Sequence, residues 1–363
     1  MRSLAIALTA AVLLGACMER PVPASGAASS GAAASDAAPA ELTLMTHDSF
    51  ALSPETLARF ESSHDATLRI LRAGDAGSMV NQAILSREHP LADVLYGVDD
   101  TFLSRALDRH IFQSHQAAGL AAVPPQYRID PQDRVTPIDY GDVCLNVDLD
   151  AFGGEGQADA PASLDDLVDP TYRGQSVVED PATSSPGLAF LLATVARYGE
   201  TGDYTWRDYW RDLRDNDVLV VDGWETAYYD RFSGGAGAGD RPIVVSYASS
   251  PAAEVVFSEP PVDRPSTAAV LDGCYRQTEF AGVLAGTESP ELAAAFIDFL
   301  LSLEVQEGIP LQMFVYPVRA DAALPAVFSQ HAQVAPDPLG IAYETIGRDR
   351  ERWLAEWTEV MRP

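Results

Sequence analysis

The chain has 363 residues, 53 of them acidic and 24 basic, for a formal charge of −29, and 47% of them are apolar. Such acidity excludes a nucleic-acid binder, which needs a basic stripe to meet phosphate. It favours a cationic ligand only through weak long-range attraction, and a solvated acidic coat is the plainer reading.

Arg2 precedes a short apolar run at 4–14. A bilayer-spanning helix needs about 20 apolar residues, so this run suits the core of a signal peptide instead. Leu14, Gly15, Ala16 and Cys17 then resemble a bacterial lipobox. In that reading 1–17 is a lipoprotein signal peptide, and Cys17 becomes the lipidated first residue of a membrane-anchored protein. An ordinary cleaved signal peptide is the alternative, and either exports the chain. Residues 18–40 are mostly Ala, Ser, Gly and Pro, which bury too little surface to offset their ordering entropy and read as a flexible tether. The remaining length is ample for a core and suggests two lobes. No later segment is long and apolar enough to cross a membrane.

The body opens with an alternating strand at 41–46. His47, Asp48, Ser49 and Phe50 lead into a helix at 54–64, and a strand at 67–71 ends on Gly74, Asp75, Ala76, Gly77 and Ser78. A helix at 79–86 and a short buried strand at 92–97 follow. This alternation predicts an α/β lobe with a mainly parallel sheet. The pattern then repeats, with strands at 143–147, 175–178, 218–221 and 243–247. Between them lie a short helix at 164–167, a helix at 188–198 stopped by Gly199, and another opened by Gly223 and Trp224. The second α/β lobe is followed by an extended run at 275–284, an amphipathic helix at 293–303, a short segment at 316–318 and terminal helical structure at 341–361.

Two strand-to-helix junctions share a design: Ser184, Ser185, Pro186 and Ser249, Ser250, Pro251. Serine is a good N-cap and Pro a good first-turn residue. In an open α/β sheet such junctions lie at the carboxyl ends of strands, where ligands bind, and a helix N-terminus offers free N–H groups. One such triplet is an ordinary cap; two in equivalent places point to a shared site. Cys144 and Cys274 lie far apart in the chain. Export permits a disulfide between them, and two buried thiols are the alternative. The six histidines show no His-Glu-x-x-His spacing, and neither Gly-x-Ser-x-Gly nor a phosphate-binding loop occurs. No catalytic residue, metal site or cofactor is expected.

Several segments in order resemble the thiamine-binding proteins of bacterial ABC importers, a branch of the type 2 periplasmic-binding-protein fold. They are Thr46 to Phe50; Ala92, Asp93, Val94, Leu95, Tyr96, Gly97 and Asp99; Pro137, Ile138, Asp139, Tyr140 and Gly141; Asp180 to Gly187; Gly223 to Tyr228; and Ser246 to Ala252. The likeness spans 42–361. It implies two α/β lobes, 41–141 with 275–363 and 142–274, rocking on hinge segments at 139–146 and 275–282 around an interlobe cleft. It further implies a periplasmic or cell-surface monomer that takes thiamine or a thiamine phosphate to an ABC permease and its ATPase.

Position by position, the family's ligand contacts fall on Asp75, Ala76, Ser184, Ser185, Trp224, Tyr247, Ala248, Ser249, Ser250 and Pro251, with His47 and Asp48 in the first motif. Trp224 or Tyr247 would face a cation or stack on a ring. Asp75 would neutralise charge or accept from an amino group, and Ser184 and Ser185 would hold a hydroxyl or phosphate. His47 stands where the family has an aromatic, Ala253 where it has tyrosine, Phe314 at a tryptophan-like position and Ala76 in place of glycine. The rival within the fold is a ferric or other small-cation receptor using Tyr228 and Tyr229, but adjacent helical side chains diverge by about 100°.

Overall fold

The computed structural model describes residues 39–362. Cys17, the signal peptide and nearly all of the tether lie outside them. In chain order come β1 (Ala40–Thr46), α1 (Pro54–His64), β2 (Ala66–Arg72), α2 (Ala76–Leu85), β3 (Val94–Asp99), α3 (Asp100–Asp108) and β4 (Phe112–Gln113). Then follow β5 (Thr136–Asp148), β6 (Ser176–Glu179), α4 (Ser185–Tyr198), α5 (Trp206–Asp215), β7 (Leu219–Val221), β8 (Ile243–Tyr247) and α6 (Ser250–Phe257). The chain closes with β9 (Thr267–Leu284), α7 (Pro290–Leu300), α8 (Leu303–Gln312), β10 (Tyr316–Pro317), α9 (Ala326–His331) and α10 (Tyr343–Met361).

Local chemistry sets many of these boundaries. Ser53 Oγ accepts from Thr56 N at 3.1 Å with Pro54 as first helical residue, and Asp65 turns left-handed to end α1. Asp99 Oδ1 caps α3 through Thr101 N and Phe102 N at 3.0 and 3.1 Å. The helix expected at 293–303 is instead the end of α7 and the start of α8, because Ser302 leaves the helix and caps the next one through Val305 N. Helix α5, not expected from the sequence, buries Trp206, Tyr209, Trp210 and Leu213.

The strand order is β2-β1-β3-β9-β5-β8-β6-β7. Pairs β1–β2, β1–β3, β6–β7 and β6–β8 are parallel. The middle of the sheet corrects the expectation of mainly parallel strands, since β3–β9, β5–β9 and β5–β8 are antiparallel. The reason is that β5 and β9, at 13 and 18 residues, run side by side through both parallel groups and form the seam. Their register slips between Val143 and Leu145. Cys144 on β5 and Cys274 on β9 are joined there by a disulfide. The carboxyl Asp142 is buried in this seam, held by Arg276 Nε and Nη2 at 2.8 and 2.9 Å.

Helix α10 packs against both α3 and α5. Trp353 and Trp357 are buried there with Trp206 and Trp210, and Trp357 meets Trp210 edge-on with ring centres 5.6 Å apart. The terminal helix therefore rests on helices that accompany both parallel groups.

Candidate functional site

A cleft of about 770 Å³ opens at the carboxyl ends of the parallel strands, the place the open-sheet rule favours. His47 follows β1, Asp75 follows β2, Ser185 follows β6, Trp224 follows β7, and Tyr247 and Ser250 sit where β8 becomes α6; all six line the cleft. Carboxylates dominate its charge: Asp48, Asp75, Asp222, Glu225 and Glu279 line it, and no arginine does so among the described residues.

Asp75 bridges the two parallel groups. Its Oδ1 accepts from Ala76 N at 2.6 Å and from Ser185 N at 3.2 Å, while Oδ2 accepts from Trp224 N at 3.1 Å. The carboxylate thus sits at the N-terminus of α4, where an external anion would bind. Ser49 Oγ donates to Glu225 at 2.9 Å, and Gly77 N donates to Thr183 O at 3.0 Å across the same gap. Gly77 is required by that approach, because a Cβ there would lie 2.6 Å from the Thr183 carbonyl oxygen.

Trp224 joins this bridge to the second Ser-Ser-Pro junction. Its Nε1 donates to Ser246 Oγ at 2.9 Å, and Ser246 Oγ lies 2.8 Å from Ser250 Oγ. The indole stacks on Tyr228 at 5.1 Å between ring centres and meets Tyr229 edge-on at 5.6 Å. Tyr247 OH donates to Gln277 Oε1 at 3.0 Å. Gln277 Nε2 and Ser185 Oγ in turn both donate to Asp99 Oδ2. Burial pushes the Asp99 carboxyl well above its usual range, against the hydrogen bonds from Thr101 and Phe102.

On the facing wall, His47 Nε2 lies 3.6 Å from Glu279 Oε2. Burial disfavours charge on His47, but the Glu279 and Asp75 carboxylates outweigh it, and the imidazole pKa rises above its ordinary 6.5. The ring packs on Gly97, whose φ of +97° and missing Cβ are both needed; a Cβ would sit 2.2 Å from His47 Cδ2. Phe314 holds a left-handed backbone with φ of +55°, a strained conformation for an aromatic residue. Ser249 Oγ donates to its carbonyl, and Phe257 packs on its ring at 5.2 Å.

Residues 89–338 match the family described as bacterial extracellular solute-binding protein. A thiamine-binding periplasmic protein of Salmonella typhimurium is 31% identical over 325 residues, covering 88% of this chain and 93% of its own. Its Escherichia coli counterpart is 30% identical over the same shares. A solved periplasmic thiamin binding protein superposes with a TM-score of 0.76 at 27% identity, over 89% of this chain and 96% of that one. This chain belongs to the bacterial extracellular solute-binding proteins. Its fold is the two-lobed type 2 periplasmic-binding-protein fold.

Of the residues expected at the binding protein's site, His47, Asp48, Asp75, Ala76, Ser185, Trp224, Tyr247 and Ser250 line the cleft. Ser184, Ala248, Ser249 and Pro251 lie behind its wall, buried. The first serine of each junction precedes the helix and is buried behind the second, while Pro186 lines the cleft and Pro251 does not. Asp75 accepts from three backbone N–H groups while also lining the cleft. Glu279, Phe257 and Met313 line the cleft without having been anticipated. An acid inside the strand-like run 275–284 was the available signal for Glu279.

Tyr228 and Tyr229 both line the cleft, but with rings 82° apart. They sit in a π-helical turn, Thr226–Arg231, in which Phe232 N donates to Ala227 O. Among the described residues, no group of three or more His, Cys, Asp or Glu side chains could hold a metal ion.

Proposed function

We propose that this solute-binding protein captures thiamine or one of its phosphate esters and delivers it to an ABC permease and its ATPase. The observation that carries this reading is the composition of the cleft: five carboxylates and a stacked Trp224–Tyr228 pair, with no arginine among its described lining. A cationic thiazolium gains from the ring faces, at about 0.5–2 kcal/mol per cation–π contact, and from the field of Glu279, Asp222 and Glu225. The aminopyrimidine supplies amino hydrogens to those same acceptors. The identified relatives that carry thiamine in their names point the same way. Binding and release, with no bond made or broken, is the activity proposed.

The proposed lobes are 41–141 with 275–363 and 142–274, hinged at 139–146 and 275–282. Closure would then be sealed by Asp75, which reaches from one lobe to backbone N–H groups of the other. The Cys144–Cys274 bridge would stiffen this hinge without crossing the cleft. A periplasmic monomer held to the membrane through lipidated Cys17 and the 18–40 tether completes the reading. Mass spectrometry of membrane-extracted protein tests the anchor: a diacylglyceryl adduct on Cys17 supports it, and a free N-terminus beyond Cys17 overturns it.

The ligand is tested by titrating thiamine and its monophosphate into the 41–363 body, followed by calorimetry and tryptophan fluorescence. Trp206, Trp210, Trp353 and Trp357 are buried away from the cleft, so a quench reports Trp224. Submicromolar binding of either compound is expected. No heat and no quench in folded, ligand-free protein would sink the thiamine reading.

A further inference from the structure

Away from the ligand cleft, α3 and α10 enclose a second cleft of about 450 Å³. Arg105, Arg109 and Arg350 line it, against Asp108 and Glu351. Three guanidiniums in one recess stand out in a chain of net charge −29.

The chemistry of Arg350 is the informative part. Its side chain is only 2% exposed. Its Nη1 donates to Glu351 Oε1 at 2.7 Å, and its guanidinium carbon lies 4.4 Å from the centre of the Phe102 ring. Its Nε and Nη2, both buried, have no hydrogen-bond partner among the described residues. Those two nitrogens form the side-on edge of a guanidinium, the fork that grips a planar or tetrahedral oxyanion through two parallel bonds.

Elsewhere in this molecule the same edge is filled. Arg134 holds both oxygens of Asp130 at 3.1 and 2.8 Å, Arg276 those of Asp142 at 2.8 and 2.9 Å, and Arg319 those of Asp321 at 2.9 and 2.8 Å. Of the four, Arg350 is the most buried and the one whose Nε–Nη2 edge has no partner among the described residues. Burial and the neighbouring charge of Arg105 both act to discharge it, holding its pKa down to about 10 against the pull of Glu351. A buried charge with open donors carries a desolvation penalty that an oxyanion would offset.

We propose that the α3–α10 cleft is an oxyanion site, in which the Nε–Nη2 edge of Arg350, shut off from solvent in this conformation, is uncovered to grip a small phosphate, sulfate or carboxylate and Arg105 and Arg109 close over it. Ser104 lines the same cleft and offers a hydroxyl. The site lies outside the solute cleft, with no lining residue in common.

The test titrates the full chain with inorganic phosphate, sulfate and acetate at constant ionic strength, read by calorimetry and by thermal unfolding against chloride. Saturable binding of at least one anion, with a Kd below about 5 mM, is expected for a buried bidentate fork with two further guanidiniums. Arg105→Gln with Arg109→Gln should weaken it about tenfold while leaving the anion-free melting temperature unchanged. Arg350→Met should abolish it, and the double variant keeps the test valid if Arg350→Met fails to fold. No saturation by any of the three anions, or equal binding in wild type and the double variant, overturns the proposal.

Discussion

The two Ser-Ser-Pro junctions read identically in sequence and do different work. At both, the second serine reaches the cleft and the first is buried. At 184–186, however, the helix N-terminus is met by a carboxylate from across the gap, Asp75, and Ser185 Oγ turns down onto buried Asp99. At 249–251 the serines serve their own neighbourhood: Ser250 Oγ bonds Ser246 and Tyr247 N, and Ser249 Oγ fixes the strained Phe314. A repeated local motif specifies where a site lies. What each copy does depends on the partner that the tertiary fold brings to it.

Trp224 ties the two junctions together, through its backbone N–H to Asp75 and its indole N–H to Ser246. Trp224→Ala should therefore have the largest effect, weakening thiamine about 30-fold or more by loss of a desolvated cation–π face. Trp224→Phe keeps a ring face but drops the Ser246 bond, and about fivefold is expected. Calorimetry separates the two; equal losses would mean that the hydrogen bond, not the face, carries the affinity.

Asp75 sharpens the comparison because it acts at the first junction alone. Asp75→Ala frees Ser185 N and Trp224 N and removes the bridge. Ligand-free protein should open, seen as a larger radius of gyration in X-ray scattering. Asp75→Asn retains an acceptor but removes the negative charge from the anion position. Affinity for the monophosphate relative to thiamine should then rise about tenfold. An unchanged ratio would place the phosphate away from α4.

The His47–Glu279 pair makes the opposite wall sensitive to pH. A cation seated near Glu279 competes with the proton on His47, so binding releases that proton. Thiamine affinity should rise as pH climbs through the raised His47 pKa and level off above it. The stability contribution runs the other way. A group whose pKa is raised on folding stabilises most fully below its unfolded value of about 6.5 and loses that contribution as pH rises past the folded value. His47→Gln should flatten both profiles, which calorimetry and melting curves across this range would record.

Much of this was legible in the sequence, and the remainder failed for physical reasons. Strands β1, β2, β3, β6 and β8 and helices α1, α2 and α4 follow their hydrophobic periods, though Ser184 makes no side-chain cap bond at the start of α4. The antiparallel seam did not, because β5 and β9 bury Asp139, Asp142 and Gln277 and carry register slips that break alternation. Those polar residues are paid for by partners distant in sequence, such as Tyr96 for Asp139 and Arg276 for Asp142. Helix α5 was missed although it is strongly amphipathic, its apolar face being built largely from Trp and Tyr among six charged residues. Within the site, eight of the twelve expected positions line the cleft. The Asp75 bridge depends on two lobes meeting, which no local window contains.

The smallest prediction isolates the first junction's internal asymmetry. Ser184 Oγ is fully buried and has no partner among the described residues, whereas Ser185 Oγ donates to Asp99 and accepts from Gln277 Nε2 at 2.5 Å. Removing the Ser184 hydroxyl relieves a desolvated polar group. Ser184→Ala should be neutral or slightly stabilising. Ser185→Ala removes a donor from a buried carboxyl and should destabilise by about 1–2 kcal/mol. Chemical denaturation of the two variants side by side decides the matter. Equal losses would mean that Ser184 has a bond in solution, and that the two serines of this junction share the load after all.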